Sequence, residues 1–195
     1  MTKQERLPTA LAAVEEETRV AGFPMASDRL TGALLRTLAA AKPGGRLLEL
    51  GTGTGLATCW LLDGMDAAAA LLSVDNDPAV QSIARRHLGQ DPRLTLATQD
   101  GGEFVQALGR QGRRFDLIFA DTWPGKYYLL DEALALLAPG GLYVIDDMLS
   151  QPNWPDGHAP KVAALIDTIG WRDDLIVARL DWSTGLILAT RRADR

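Results

Sequence analysis

Residues 46–57, RLLELGTGTGLA, constrain the fold more than any other stretch of the chain. Arg46-Leu47-Leu48-Glu49-Leu50 is a short apolar run with one carboxylate, the pattern of a parallel strand buried on both faces. It runs into Gly51-Thr52-Gly53-Thr54-Gly55 and then into a helix-compatible segment, 56–62. Glycine lets the chain turn sharply and lets a ligand approach bare backbone, and the helix start behind it supplies unpaired N–H donors. A tight strand–helix connection without a ligand is the plain alternative.

Three details favour a ligand. The spacing is G-x-G-x-G, and Leu56 stands at the third glycine of the dinucleotide form G-x-G-x-x-G, so that form fails. Glu49 lies inside the strand, where a carboxylate is costly to bury unless a cation or N–H groups receive it. Asp75 ends the next apolar run, 70–74. In a doubly wound sheet it sits at the neighbouring strand's C-terminal tip, within reach of a ribose diol.

A chain of 195 residues, 47% apolar and 23% charged, suits one globular domain. The net charge of −5 argues against a nucleic-acid partner, because phosphate binding needs concentrated Lys and Arg. The single cysteine, Cys59, excludes an internal disulfide and fits a reducing compartment. With no apolar run of about 18 residues and no signal-peptide pattern, a soluble cytoplasmic domain with no membrane partner is expected.

Leu7, Leu11 and Val14 predict a first helix broken at Gly22-Phe23-Pro24, and Ser27 is read as the N-cap of a second. Asp77-Pro78 starts a helix after strand 2. His87 falls on that helix's apolar face and is read as packing. Strand 3 covers 93–97 and leads to Asp100-Gly101. Strand 4 covers 115–120, a helix runs to Leu137, and strand 5 covers 142–145. A helix over about 160–169 precedes two strands, 175–181 and 186–190. Their short link requires an antiparallel pair. The fold class is therefore α/β, a doubly wound, seven-stranded, mostly parallel sheet with a C-terminal antiparallel hairpin.

Strands 4 and 5 end at Asp121 and at Asp146-Asp147, beside strand 1 at the crevice where such sheets bind ligands. Two bare carboxylates about 4 Å apart repel by roughly 4 kcal/mol at an effective dielectric near 20. The three must hold a cation, keep a proton or point apart. Oxygen-only ligation suits Mg²⁺. Trp123, Tyr127 and Trp154 offer flat walls to an aromatic substrate, against core packing as their ordinary role.

LLELGTGTG followed by SVDNDP resembles the S-adenosylmethionine site of class I methyltransferases. LLSVDNDP, ADTW and VIDDML are similar to a magnesium-dependent branch, the catechol- and caffeoyl-CoA-type O-methyltransferases, over about residues 25–190. The resemblance implies one methyltransferase domain, 1–195, with a helical cap at 1–43. It implies a cofactor-binding set of Glu49, Gly51, Thr52, Gly53, Asp75, Asn76, Asp100 and Asp121. Asp75 takes the ribose and Asp100 the adenine, with plain turn chemistry competing for Asp100. Asp121, Asp146 and Asp147 fall on the metal ligands, and a small hydroxylated, catechol-like molecule is the implied acceptor. The family's catalytic lysine falls on Pro124, so Lys126 acts beside Asp121 only if the loop bends differently. A homodimer is in keeping with related enzymes. A metal-free class I methyltransferase and a non-catalytic or NAD-type nucleotide binder are the alternatives.

Overall fold

The structure, a computed structural model, describes residues 6–152 and 154–193. Two helices come first, α1 (Leu11–Ala21) and α2 (Arg29–Ala40). Strands and helices then alternate: β1 (Arg46–Leu50), α3 (Leu56–Gly64), β2 (Ala70–Asp75), α4 (Pro78–Leu88), β3 (Leu94–Thr98), α5 (Gly101–Arg110), β4 (Phe115–Ala120), α6 (Leu130–Ala135), β5 (Leu137–Ile145) and α7 (His158–Gly170). The last two elements are β6 (Leu175–Leu180) and β7 (Leu186–Arg191).

The strand order is β3-β2-β1-β4-β5-β7-β6. The first five strands in that order pair in parallel, and β7 runs antiparallel to both β5 and β6. This is the expected doubly wound sheet with its terminal hairpin. The order reverses direction between β1 and β4, so a crevice opens at their C-terminal ends. Asp121 N there donates to Leu50 O at 2.9 Å, and Asp146 N donates to Ala120 O at 3.3 Å, which aligns the three strand tips.

Alternation along the strands divides the core into two layers. Leu48, Leu50, Ile118, Ala120, Tyr143 and Ile145 pack with Phe104 of α5, Leu134 of α6 and Val162 of α7. Leu47, Leu71, Leu117, Phe119 and Val144 pack with Trp60 of α3 and Ile83 of α4. Leu11 and Val14 of α1 and Leu35 of α2 are buried in that second layer. Each such side chain contributes about 1.5–3 kcal/mol. The first two helices are thus mainly a core layer, and segment 23–27 between them reaches the crevice.

Asp77 caps α4 through Ala79 N and Val80 N, as its sequence predicts. Two boundaries differ from expectation. Asp28, not Ser27, caps α2, accepting from Leu30 N and Thr31 N. The helix expected to reach Leu137 stops at Ala135, and β5 starts at Leu137 instead of Leu142. Phe115 pairs with Leu137 and Leu117 with Leu142, so Ala138-Pro139-Gly140-Gly141 bulges out of the ladder. Proline lacks the N–H that a regular ladder needs, and an irregularity inside one strand absorbs it. No helix among the described residues is long and apolar enough to cross a membrane.

Candidate active site

A cavity of about 690 Å³ occupies the crevice. Gly51, Thr52, Gly53, Asp75 and Asn76 line one end. Asp121, Trp123, Lys126, Tyr127, Asp146, Asp147, Trp154 and His158 line the other, with 23–27 at the rim. A smaller cavity of about 290 Å³ shares Gly51, Asp75 and Asn76 and adds Asp100, Gly101 and Tyr128.

The glycine loop is built for close approach. Gly51 has φ 101°, and a Cβ there would lie 2.8 Å from Asp121 O. Gly51 N and Thr52 N both donate to Val74 O, at 2.9 and 3.1 Å. Thr52 packs inward, its hydroxyl 2.6 Å from that of Ser73 and accepting from Gln81 Nε2. Asp75 Oδ2 accepts from Gly53 N at 2.7 Å and Oδ1 from Asp77 N at 2.9 Å. Each carboxylate oxygen carries two lone pairs, so both keep capacity for a further donor. Asp100 Oδ1 caps α5 through Glu103 N, and the residue lines the smaller cavity.

Glu49 departs from its expected role as a polar anchor in the cleft. Strand alternation turns it with Leu47 toward α3, where Oε2 accepts from Thr58 and Ser73 hydroxyls. It is fully buried and lines neither cavity. Burial pushes its carboxyl up to about 7 against those two hydrogen bonds, and Oε1 has no protein partner among the described residues. Cys59 is buried as expected of an inert thiol, and burial pushes it up to about 12.

At the opposite end the loop does bend to admit Lys126. Gly125 has φ 86°, and its carbonyl accepts from the Tyr143 hydroxyl at 2.8 Å. Lys126, 5% exposed, donates from Nζ to Asp146 O at 3.0 Å and lies 3.8 Å from Asp121 Oδ1. Asp121 Oδ2 accepts from the Ser27 hydroxyl at 3.0 Å. Burial, then the charge of Asp146, raises the Asp121 carboxyl well above the usual range, against the pull of Lys126. Asp146 is pushed up to about 6, by burial and then by Asp147, while Thr184 and Lys126 oppose the shift.

The expected Mg²⁺ ligands fit an ion poorly. Among the described residues no three His, Cys, Asp or Glu side chains are placed to hold one. Asp146 Oδ1 is taken by Asp147 N and the Thr184 hydroxyl, and Asp147 sits in left-handed backbone, φ 64°. Asp121, Asp146 and Asp147 share one mouth with Lys126, whose Nζ donates to Asp146 O and lies 3.8 Å from Asp121 Oδ1.

His158 was not singled out by the sequence; the histidine considered there, His87, instead pairs with Glu17 at 2.8 Å. His158 Nε2 lies 3.1 Å from the Tyr127 hydroxyl, and Nδ1 is buried without a protein partner among the described residues. Its ring centroid is 4.7 Å from that of Trp154 and 5.2 Å from that of Tyr127. Burial and then the charge of Lys126 lower its pKa. The available signal was its place at a helix start, just after a proline-bracketed tryptophan.

A methyltransferase-domain family profile matches residues 48–148, just over half of the chain. The chain belongs to the methyltransferase-domain family. That match takes in β1, the glycine loop, Asp75, Asp121 and the Asp146-Asp147 pair. A curated relative from Mycolicibacterium vanbaalenii, provisionally named an O-methyltransferase, is 32% identical over 141 residues, covering 70% of this chain and 62% of the relative. The chain thus spans less than two thirds of that relative's length. A crystal structure from Klebsiella pneumoniae, provisionally named an O-methyltransferase, superposes with a TM-score of 0.83 at 28% identity, covering 97% of this chain and 93% of that one. The O-methyltransferase TomG of Streptomyces achromogenes, solved with S-adenosylmethionine, has a TM-score of 0.82 at 22% identity, covering 96% and 92%; it bears on the fold alone. The likeness to class I methyltransferases read from the glycine motif is borne out by this family membership and this fold.

Proposed function

We propose that the chain is an S-adenosylmethionine-dependent O-methyltransferase acting on a small, planar, hydroxylated acceptor of catechol-like size. The observation that carries this reading is one continuous cavity joining the glycine loop and Asp75 to Asp121, Lys126 and an aromatic wall. The family membership supports it, as do the O-methyltransferase names of the Mycolicibacterium and Klebsiella relatives.

The bare backbone at Gly51 and Gly53 fits a nucleoside-bearing cofactor. Asp75 would accept from a ribose diol with its remaining lone pairs, and Asn76 and Asp100 would flank the base in the smaller cavity. When bound, the cofactor supplies a sulfonium methyl, which ends on the acceptor oxygen while the S–C electron pair stays on sulfur. Trp154, Tyr127 and His158 hold the acceptor ring edge-on and face-on, which fixes the line of attack. His158 fixes the Tyr127 hydroxyl, and burial followed by the charges of Asp147 and Asp121 pushes that phenol up to about 12, so it serves as a neutral hydrogen-bonding group. Asp121, which lines the cavity 3.8 Å from Lys126 Nζ, takes the acceptor's proton. We read residues 1–195 as one catalytic domain.

Calorimetry with S-adenosylmethionine, its demethylated product, NAD and NADP tests the cofactor. Mass spectrometry of hydroxylated aromatics incubated with enzyme and S-adenosylmethionine tests the transfer. Binding of NAD without S-adenosylmethionine, or methylation confined to nitrogen or carbon acceptors, would overturn the proposal.

A further inference from the structure

Resting on the methyl-transfer reading above, we propose that Lys126 is a built-in cation: its ammonium group holds the place and charge of a divalent ion at the acceptor oxygen, and transfer in this chain needs no metal. The ammonium is fixed between two strand tips, donating to Asp146 O at 3.0 Å and lying 3.8 Å from Asp121 Oδ1. Its side chain is 5% exposed and lines the larger cavity. Two of the carboxylate oxygens already have partners: Asp121 Oδ2 accepts from Ser27, and Asp146 Oδ1 from Asp147 N and Thr184. A dication placed among these carboxylates would also meet the ammonium at close range, and like charges in a buried site repel strongly.

The backbone is shaped to deliver this one side chain. A Cβ at Gly125 would lie 2.6 Å from Tyr143 Oη, so the left-handed turn and the buried tyrosine fit only glycine. Pro124 offers no side chain that could do the same work, and Lys126 follows directly after the turn. In the reaction the acceptor O–H bond breaks and its proton passes to Asp121. The O–CH₃ bond forms, the S–CH₃ bond breaks, and its electron pair remains on sulfur. Lys126 keeps its protons throughout and stabilises the oxyanion as charge develops, as a preorganised cation does.

The test compares wild type, Lys126→Met and Lys126→Arg by thermal denaturation with and without MnCl₂ or MgCl₂, by calorimetry with S-adenosylmethionine, and by turnover with and without EDTA. Wild type should show no midpoint shift with either ion and no loss of turnover on chelation. Lys126→Met should bind S-adenosylmethionine normally and lose roughly 10²–10³-fold in kcat. It should also gain a Mn²⁺-dependent rise in midpoint that Lys126→Met/Asp121→Asn lacks. If Lys126→Met does not fold, Lys126→Arg, which keeps a charge in the slot, should stay active in EDTA. Wild-type stabilisation by Mn²⁺, or turnover lost to EDTA and restored by Mg²⁺, would overturn the built-in cation while leaving the methyl-transfer reading intact. Failure to bind S-adenosylmethionine at all would instead remove that reading.

Discussion

Replacing Asp75 by alanine should separate two tasks of one carboxylate. Oδ2 holds Gly53 N at 2.7 Å and Oδ1 holds Asp77 N at 2.9 Å, pinning the glycine loop and the start of α4. The remaining lone pairs are available to a ribose diol in the cavity. A hydrogen bond to a charged group contributes about 1.5–3 kcal/mol net. Losing the diol contacts should therefore weaken S-adenosylmethionine binding roughly tenfold to a hundredfold. Pinning the loop acts on stability instead. Water can replace the partner of the exposed Asp77 N, so the loss is about 1 kcal/mol, or ~2–4 °C in midpoint for a chain of this size. Asp75→Asn keeps an acceptor for Gly53 N and should recover most of the midpoint but little of the affinity. Calorimetric titration beside thermal denaturation reads the two effects. Unchanged affinity in Asp75→Ala would refute the ribose placement. Full recovery of affinity in Asp75→Asn would show that the loop alone was responsible.

Gly125→Ala forces a Cβ against Tyr143 Oη at a positive φ, and a displacement of about 1 Å in Lys126 should lower kcat by ten- to a hundredfold while S-adenosylmethionine affinity holds; steady-state kinetics with full activity retained would count against the delivery of Lys126 by this turn. Trp154→Ala removes one aromatic wall, so KM for an aromatic acceptor should rise roughly two- to tenfold, with cofactor affinity unchanged by calorimetry. Asp146 titrates near 6 in the folded state and near 4 unfolded, so the folded chain holds the extra proton and stability falls as pH rises through that window. Asp146→Asn keeps acceptors for Thr184 and Asp147 N without the charge. Its midpoint should exceed the parent's by a margin that opens between about pH 4 and 6, on the order of 3 kcal/mol at most. A margin that stays flat across the window would refute the assignment.

The elements most legible in the sequence were those whose local chemistry and tertiary role agree. The apolar runs of β1 and β4, the glycines after β1, and Asp77-Pro78 before α4 each state a local preference that the sheet then uses. Asp75 was placed correctly because a strand's final residue has one address in this topology. Glu49 was misplaced because its direction depends on strand parity and on hydroxyls supplied from the next helix, α3, and the neighbouring strand, β2. Ser27 was mistaken for a cap because Asp28, its neighbour, competes for the same N–H groups; the outcome frees Ser27 to bond Asp121. Lys126 was the hardest to read. Whether a lysine two residues past the usual position reaches the site turns on one glycine dihedral and on Tyr143, supplied from β5. His158 went unnoticed because nothing local marks an imidazole that will meet Tyr127, 31 residues earlier.

The placement of β7 between β5 and β6 has a consequence for how the protein is made. On the ribosome β7 emerges after the other six strands of the described sheet, yet its position is internal to that sheet and its register runs along Leu142 to Ile145 of β5. Until then β5 presents an unpaired apolar edge, the kind of surface that invites pairing with another nascent chain. Thr184, which holds Asp146, and Trp182 and Ser183, which grip Leu30 O and Asp28 beside the cavity rim, arrive in the same late segment. A chain stalled before Thr184 would therefore hold a finished glycine loop, an Asp146 without its threonine partner and a sticky flank for chaperones to cover.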